Sequence, residues 1–482
     1  MLNREKILLV HPLGYRYEDD QVDISRLANV MPPLGLAGIA AYLDERSVDN
    51  EIVDCYARPD AFDWIRSYLE KEKPGFIGFS CTTSTFLNGV EIAAWAKRIL
   101  PGIRTVFGGA HVSALKEEVV NGYEAVDYVV VGEGEETLYK LMKAGESEIP
   151  RVKGIVCRDE SGAAKFTGFP EKQLKLDDLP FPAYEKLAGF PERYKLPIFN
   201  YPSVPNASCI SSRGCPYSCT YCDRSVFRKS FRFNSAEYLF KHVTYLKDRF
   251  GIRHINFYDD QFTFHRKRVV RFCELMVHNR VGITFNCAAR AEHLDADLLE
   301  KMKNAGCWMI SLGIETGDQK LLARHRQNAD LEMLRRKVHM IKKAGIRVKG
   351  LFMIGLPGET EKSIQNSRSY MFSLPLDDFN LAKFTPFPGS PVYREIKENP
   401  FLGTFDENWE KMDCMTFAFV PKALNKERLE ELFTEFYKSH FLRPKVMAGY
   451  VSMIWKSPDS WARFVRDLFS FLAFAKTNKR IR

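Results

Sequence analysis

The sequence predicts an α/β protein: an N-terminal doubly wound parallel sheet, then a partial (βα)6 barrel, then a helical C-terminal region. Three observations carry this. Short apolar runs alternate with helical patterns over 1–145 and again over 206–390, which is how parallel strands covered by helices read. A proline-rich stretch over 146–205 separates the two. Past 390 the alternation stops and longer helical patterns take over.

In the first unit, strands are expected over 6–10, 51–54, 76–80, 104–107 and 128–131. Helices are expected near 34–45, 61–72, 84–99, 112–121 and 135–143. A ligand of such a sheet binds beyond the strand C-termini. The stretch 146–205 reads as a linker with one hairpin around 152–166. In the second unit, strands are expected over 207–211, 254–258, 284–288, 309–313, 348–354 and 380–384, which places the chemistry at their C-terminal ends. The final region, 391–482, should hold amphipathic helices over 426–441 and 459–475.

Composition narrows the class. The 482 residues are 45% hydrophobic and 27% charged, which excludes disorder and disulfide mini-scaffolds. A net charge of +9 over this length does not call for nucleic acid. No run approaches the ~18 apolar residues of a membrane span, and no signal peptide is visible. The expectation is a cytoplasmic protein, where clustered cysteines bind metal more often than they pair. The 36 phenylalanines imply large cores or an apolar substrate surface.

The strongest signal is Cys215-x3-Cys219-x2-Cys222, directly after a predicted strand. Thiolates are soft ligands suited to iron–sulfur clusters or zinc. A zinc site of four cysteines usually shows two separated C-x2-C pairs, which this loop does not. The spacing resembles the radical S-adenosylmethionine (SAM) superfamily over about 206–390. The resemblance implies a [4Fe–4S] cluster on Cys215, Cys219 and Cys222, with SAM on the open iron and cleaved to a 5′-deoxyadenosyl radical. It implies SAM contacts at further positions. Tyr221 would lie near the adenine, Asp259 near the amino group, Arg290 at the carboxylate, Glu315 at the ribose, and Gly355 in the loose G-x-I-x-G-x-x-E match at the adenine. The other cysteines, Cys209 included, are expected to pack as small apolar residues.

The first unit resembles the cobalamin-binding domains attached to many radical SAM enzymes. That implies cobalamin at Ser80, Thr82, Gly108, Gly109 and Gly132. The D-x-H-x-x-G motif is replaced by His11-Pro-Leu-Gly14, so base-off binding without histidine ligation is expected. His111 is expected to be a loop residue or a contact to the nucleotide tail.

Together these imply a cobalamin-dependent radical SAM enzyme that methylates an unactivated carbon of a small, apolar, lipid-like or isoprenoid substrate. A flavodoxin- or ferredoxin-type reductase would supply electrons. One alternative is an oxidative cyclase or ring-rearranging enzyme, as in the anaerobic Mg-protoporphyrin cyclase family. Another is a methylthiotransferase acting on RNA or protein, against which the first unit lacks a three-cysteine set. The basic amphipathic C-terminus has two readings, peripheral membrane contact or packing on the barrel.

Overall fold

The computed structural model describes residues 2–14 and 29–469. The apolar runs of the first unit pair as parallel strands because both of their faces are covered. These are β1 (Asn3–His11), β2 (Asp49–Asp54), β3 (Pro74–Ser80), β4 (Arg104–Gly108) and β5 (Tyr128–Val130), in spatial order 2-1-3-4-5. The order reverses between β1 and β3, and a doubly wound sheet opens its ligand crevice there.

The hairpin expected in the linker belongs to this sheet. Strands β6 (Ile155–Arg158) and β7 (Ala164–Phe166) add to it antiparallel, beside β5. Ile155 and Val156 are fully buried there. The hairpin covers a sheet edge that would otherwise present unpaired backbone.

The barrel strands are β8 (Asn206–Cys209), β11 (His254–Phe257), β12 (Thr284–Ala289), β13 (Cys307–Glu315), β14 (Arg347–Ile354) and β15 (Asp378–Lys383). They pair in parallel in sequence order, and β8 and β15 form the two edges of an open barrel. Between β8 and β11, a two-stranded ribbon of β9 (Ser212–Arg213) and β10 (Arg232–Phe233) brackets the cysteine loop. A last ribbon, β16 (Gly403–Phe405) with β17 (Phe419–Pro421), precedes helices at Lys426–Phe441, Pro444–Lys456 and Pro458–Arg466. Residues 470–475 of the expected terminal helix lie outside the described residues.

One apolar core runs through both units. It joins Ile7, Leu9 and Leu36 of the first to Ile255, Phe257 and Phe285 of the barrel, through Ala183, Tyr184, Leu187 and Tyr194 of the connecting stretch. That stretch is therefore a packed wedge that sets the distance between the units. A second core lies on the other face of the first sheet, around Leu8, Ile77, Phe79 and Phe107. Phenylalanines help to fill these cores: Phe257, Phe262, Phe272 and Phe285 meet one another, mostly edge to face, at 4.8–6.3 Å between ring centroids.

The N-terminal end of the barrel is plugged by a polar network. Asp378 sits 3.2 Å from the Lys349 ammonium and accepts hydrogen bonds from Tyr450 at 2.8 Å and Asn200 at 3.2 Å. Burial alone would raise the Asp378 pKa, but Lys349 and the Tyr450 hydroxyl outweigh it and the net shift is downward. Asp378→Ala leaves a mostly buried ammonium without its partner. We expect a loss of about 3–5 kcal/mol, read as a lower urea midpoint at unchanged m-value.

Burial also sets an acid limit. His111, His242 and His254 have pKa values lowered to about 3, and His440 to about 4, by desolvation. In the unfolded chain these rings protonate near pH 6.5. Unfolding thus takes up protons, and stability falls as pH drops from about 6.5 toward 4. Thermal melts between pH 7.5 and 4.5 should show a progressive fall in Tm. Replacing His111 with Phe should flatten the profile.

Candidate functional site

The cysteine loop is fixed at both ends before any ligand is considered. Gly214 has φ +86°, and an added Cβ there would collide with the Ser230 carbonyl, so only glycine lets the loop close against 230. Arg224 donates to the Tyr217 carbonyl at 2.9 Å, and Thr220 N–H donates to His325 O at 3.0 Å. Ser225 Oγ donates to the Ala110 carbonyl of the first unit at 2.9 Å, so the loop spans the junction. Cys219 is buried, Cys215 half-buried and Cys222 exposed. Among the described residues, no three His, Cys, Asp or Glu side chains close on the spacing of a single ion's ligands. A four-iron cluster instead puts each thiolate on its own iron, and three soft donors on one braced loop suit it.

Arg290, at the end of β12, is buried beside this loop. Its guanidinium lies 3.8 Å from the centre of the Tyr217 ring, 3.7 Å from Cys219 Sγ and 2.7 Å from Glu292 Oε1, and it donates to Gln327 O at 2.8 Å. Glu315 ends β13 with φ +66° and accepts a hydrogen bond from Tyr221. Desolvation raises the Glu315 pKa against the pull of Arg326 and the Tyr221 hydroxyl. Gly355 follows β14 with φ +102°, and its N–H donates to Glu359, whose pKa burial raises to about 8. Arg290, Glu315 and Gly355 thus come together with Tyr221 at the C-terminal ends of adjacent strands.

Asp259 is committed elsewhere. Its carboxylate accepts from the backbone N–H of Ser211 and Ser212, each at 2.6 Å, and from Ser211 Oγ at 2.5 Å. It therefore braces the turn that launches the cysteine loop, and the neighbouring Asp260 opens onto the cavity described next. Cys209 packs its thiol 3.5 Å from His242 Nδ1, away from the loop cysteines.

A cavity of about 440 Å³ lies at the junction of the two units. One wall is the strand ends of the first sheet, including Ser80, Gly108, Gly109 and Gly132. The other is Ile210, Ser212 and Arg213 leading into the cysteine loop, with Val226, Tyr258 and Asp260. Leu176, Leu179, Pro180 and Pro182 of the connecting stretch close a side. Gly109, at φ +106°, lets the turn after β4 pass against Cys81, whose carbonyl a Cβ would strike. Thr82 does not line the cavity; it is exposed, and its N–H turns back to Thr85 Oγ1 at 2.9 Å. His111 does not reach the cavity either. It packs between Phe86 and Trp409, each ring 4.5 Å away, because the helix that carries it faces the second core. His11 lies 2.9 Å from Asp54.

Sequence reading missed the ion-pair lock beside this cavity. Arg213 pairs with Glu133 at 3.0 Å and Glu135 at 2.6 Å, and Arg232 also pairs with Glu133. The glutamates follow β5, and the arginines flank the cysteine loop on the β9–β10 ribbon. Arg213 stands 80 and 78 positions from its two partners, and Arg232 stands further still from Glu133. Glu135 opens a helix and Glu133 lies just ahead of its N-cap, where acidic residues read as dipole partners, so no local signal announces the pairing.

Comparison with known proteins agrees with this architecture. Residues 209–371 match the radical SAM superfamily and residues 21–142 the B12-binding domain. An uncharacterized methyltransferase of Pyrococcus horikoshii is 29% identical over 446 residues, covering 92% of this chain and 94% of the relative. The anaerobic magnesium-protoporphyrin IX monomethyl ester cyclase of Rubrivivax gelatinosus is 25% identical, covering 91% of this chain and 77% of the relative. The structure of OxsB, a cobalamin-dependent SAM radical enzyme with aqua-cobalamin and SAM bound, superposes with a TM-score of 0.73 at 18% identity, over 93% of this chain and 70% of that one. The protein is a radical SAM enzyme with a B12-binding domain ahead of its barrel. The two matched domains imply a [4Fe–4S] cluster with SAM in the barrel and cobalamin on the first sheet.

Proposed function

We propose that the enzyme methylates an unactivated carbon of a small, largely apolar substrate enclosed between its two domains. The observation that carries this is the shared cavity: one wall is the B12-type strand ends, the opposite wall the entry to the cysteine loop. A methyl donor and a radical source must both face the substrate.

In this reading Cys215, Cys219 and Cys222 hold the cluster, and Ser80, Gly108, Gly109 and Gly132 cradle cobalamin. Once bound, the cluster with SAM supplies one-electron chemistry, and cobalamin supplies a transferable methyl group. The chain's own side chains position. The Arg290 fork, held by Glu292 and the Gln327 carbonyl, faces the SAM carboxylate. Glu315 offers acceptors to the ribose hydroxyls, with Tyr221 and the Gly355 backbone beside the adenine. Asp260 takes the place expected of Asp259 at the SAM amino group. Arg213 and Arg232, locked to Glu133 and Glu135, keep the two domains in register. A flavodoxin- or ferredoxin-type donor would approach the exposed Cys222 side.

A second reading, oxidative cyclisation without methyl transfer, draws on the cyclase relative, which aligns with 91% of this chain over 77% of its own length. Anaerobic reconstitution with iron, sulfide and hydroxocobalamin tests both. Near-stoichiometric base-off cobalamin, with S-adenosylhomocysteine and 5′-deoxyadenosine formed together on turnover, supports methylation. 5′-Deoxyadenosine without S-adenosylhomocysteine favours cyclisation. No retained cobalamin beside an intact cluster removes both readings.

A further inference from the structure

The C-terminal helices carry a surface that the chemistry above does not use. On Pro444–Lys456, Met447, Val451, Ile454 and Trp455 stand at helical i, i+4, i+7 and i+8 spacing and are all exposed, Trp455 at 76%. Val446 and Met453 on the same helix face the protein. Leu442 before the helix and Val465 and Phe469 after it are exposed as well. Soluble surfaces rarely leave such a row open without a partner.

The charge around it is one-sided. No Asp or Glu occurs between Glu435 and Asp459, a stretch that holds Lys438, Arg443, Lys445 and Lys456. Residues 436–482 carry ten Lys and Arg against two Asp, so +8 of the chain's net +9 lies in its last tenth. Lys445 and Lys456 are exposed at the two ends of the apolar row.

Position narrows the partner. Tyr450 bonds to Asp378, the first residue of β15, and Met453 meets Arg347, the first residue of β14. The face is therefore at the N-terminal end of the barrel, opposite Arg290, Glu315 and Gly355. An electron-donor protein, which must approach the cysteine loop, has no use for it. A nucleic acid would ask for cations at the centre and not an aliphatic row with a tryptophan.

We propose that Met447, Val451, Ile454 and Trp455, edged by Lys445 and Lys456, form a docking face for an anionic lipid bilayer. The apolar side chains enter the headgroup boundary, Trp455 lies at the interface, and the flanking cations meet lipid phosphates. The enzyme then rests on the membrane by the floor of its barrel, and the domain junction faces away from it. This is independent of the reaction assigned above.

Flotation of the full-length enzyme with sealed vesicles tests it. Wild type should float with phosphatidylcholine vesicles containing phosphatidylglycerol, far less with phosphatidylcholine alone, and less again as salt rises. The exposed-site variant Val451→Glu/Ile454→Glu should cut the bound fraction at least about tenfold. Lys445→Glu/Lys456→Glu should weaken binding to the anionic vesicles alone. Both variants should keep wild-type melting temperature and cofactor content. Failure of wild type to float, equal flotation with both vesicle types, or wild-type binding by the Val451→Glu/Ile454→Glu variant would overturn the proposal. So would a vesicle-free dimer that this variant dissociates in a protein that binds no lipid, which would give the face to a second copy of the chain.

Discussion

Cys219→Ala should lose bound iron and all SAM cleavage while keeping its fold. Cys219 is the buried member of the three loop thiols, with Arg290 Nη1 3.7 Å from its sulfur. The loop around it is braced by Gly214, Arg224 and Thr220 whether or not a cluster is present, so removing one small side chain leaves the scaffold standing. Two remaining thiolates make a poor set for a four-iron cluster. Iron and sulfide content, the cluster's visible absorption and 5′-deoxyadenosine formation should all fall to background together. Cys209→Ala is the control. Its thiol is buried against His242, so that variant should keep cluster and cleavage and lose only some stability, about 1 kcal/mol on the scale of small core truncations. If Cys219→Ala retains iron and cleavage, the ligand assignment fails, and with it the placement of Arg290, Glu315 and Tyr221 around SAM.

The contrast between Asp259 and Asp260 shows what a sequence can and cannot carry. Strand periodicity and the cysteine spacing locate the site because they are local: a strand end, a loop, a ligand triplet. Which of two adjacent carboxylates faces the cavity depends on the turn at Ser211–Ser212, whose N–H groups capture Asp259. That is a contact across 47 and 48 positions. The lock of Arg213 and Arg232 on Glu133 and Glu135 was hidden for the same reason. The β6–β7 hairpin was legible as a hairpin, but its attachment to β5 depends on which sheet edge is open. His111 followed a glycine turn at a promising strand end, yet its helix faces the aromatic core at Phe86 and Trp409. The phenylalanine count points less to an apolar substrate once rings such as Phe76, Phe107, Phe257, Phe272 and Phe285 are found buried inside the two cores.

Gly108→Leu should separate cobalamin binding from everything else. Gly108 ends β4 and lines the junction cavity. An added Cβ there would meet only the Phe79 carbonyl oxygen, at 3.8 Å, and the residue's φ does not require glycine. The backbone therefore accepts a side chain, and the remaining atoms enter the cavity of about 440 Å³. Overpacking a filled site costs roughly 1–3 kcal/mol, so cobalamin affinity should fall about 10–100-fold. Gly109 cannot serve for this test: at φ +106° and against the Cys81 carbonyl, any substitution strains the turn and confuses loss of ligand with loss of fold. In Gly108→Leu the melting temperature, the cluster content and the cleavage of SAM in the absence of substrate should stay near wild type, because Cys215, Cys219, Cys222 and Arg290 do not line that cavity. Methylated product should disappear with the cobalamin. A variant that still holds stoichiometric base-off cobalamin would move the ligand away from the β4 end. The shared cavity would then be a substrate chamber alone, and the methyl donor would need another route to the carbon it modifies.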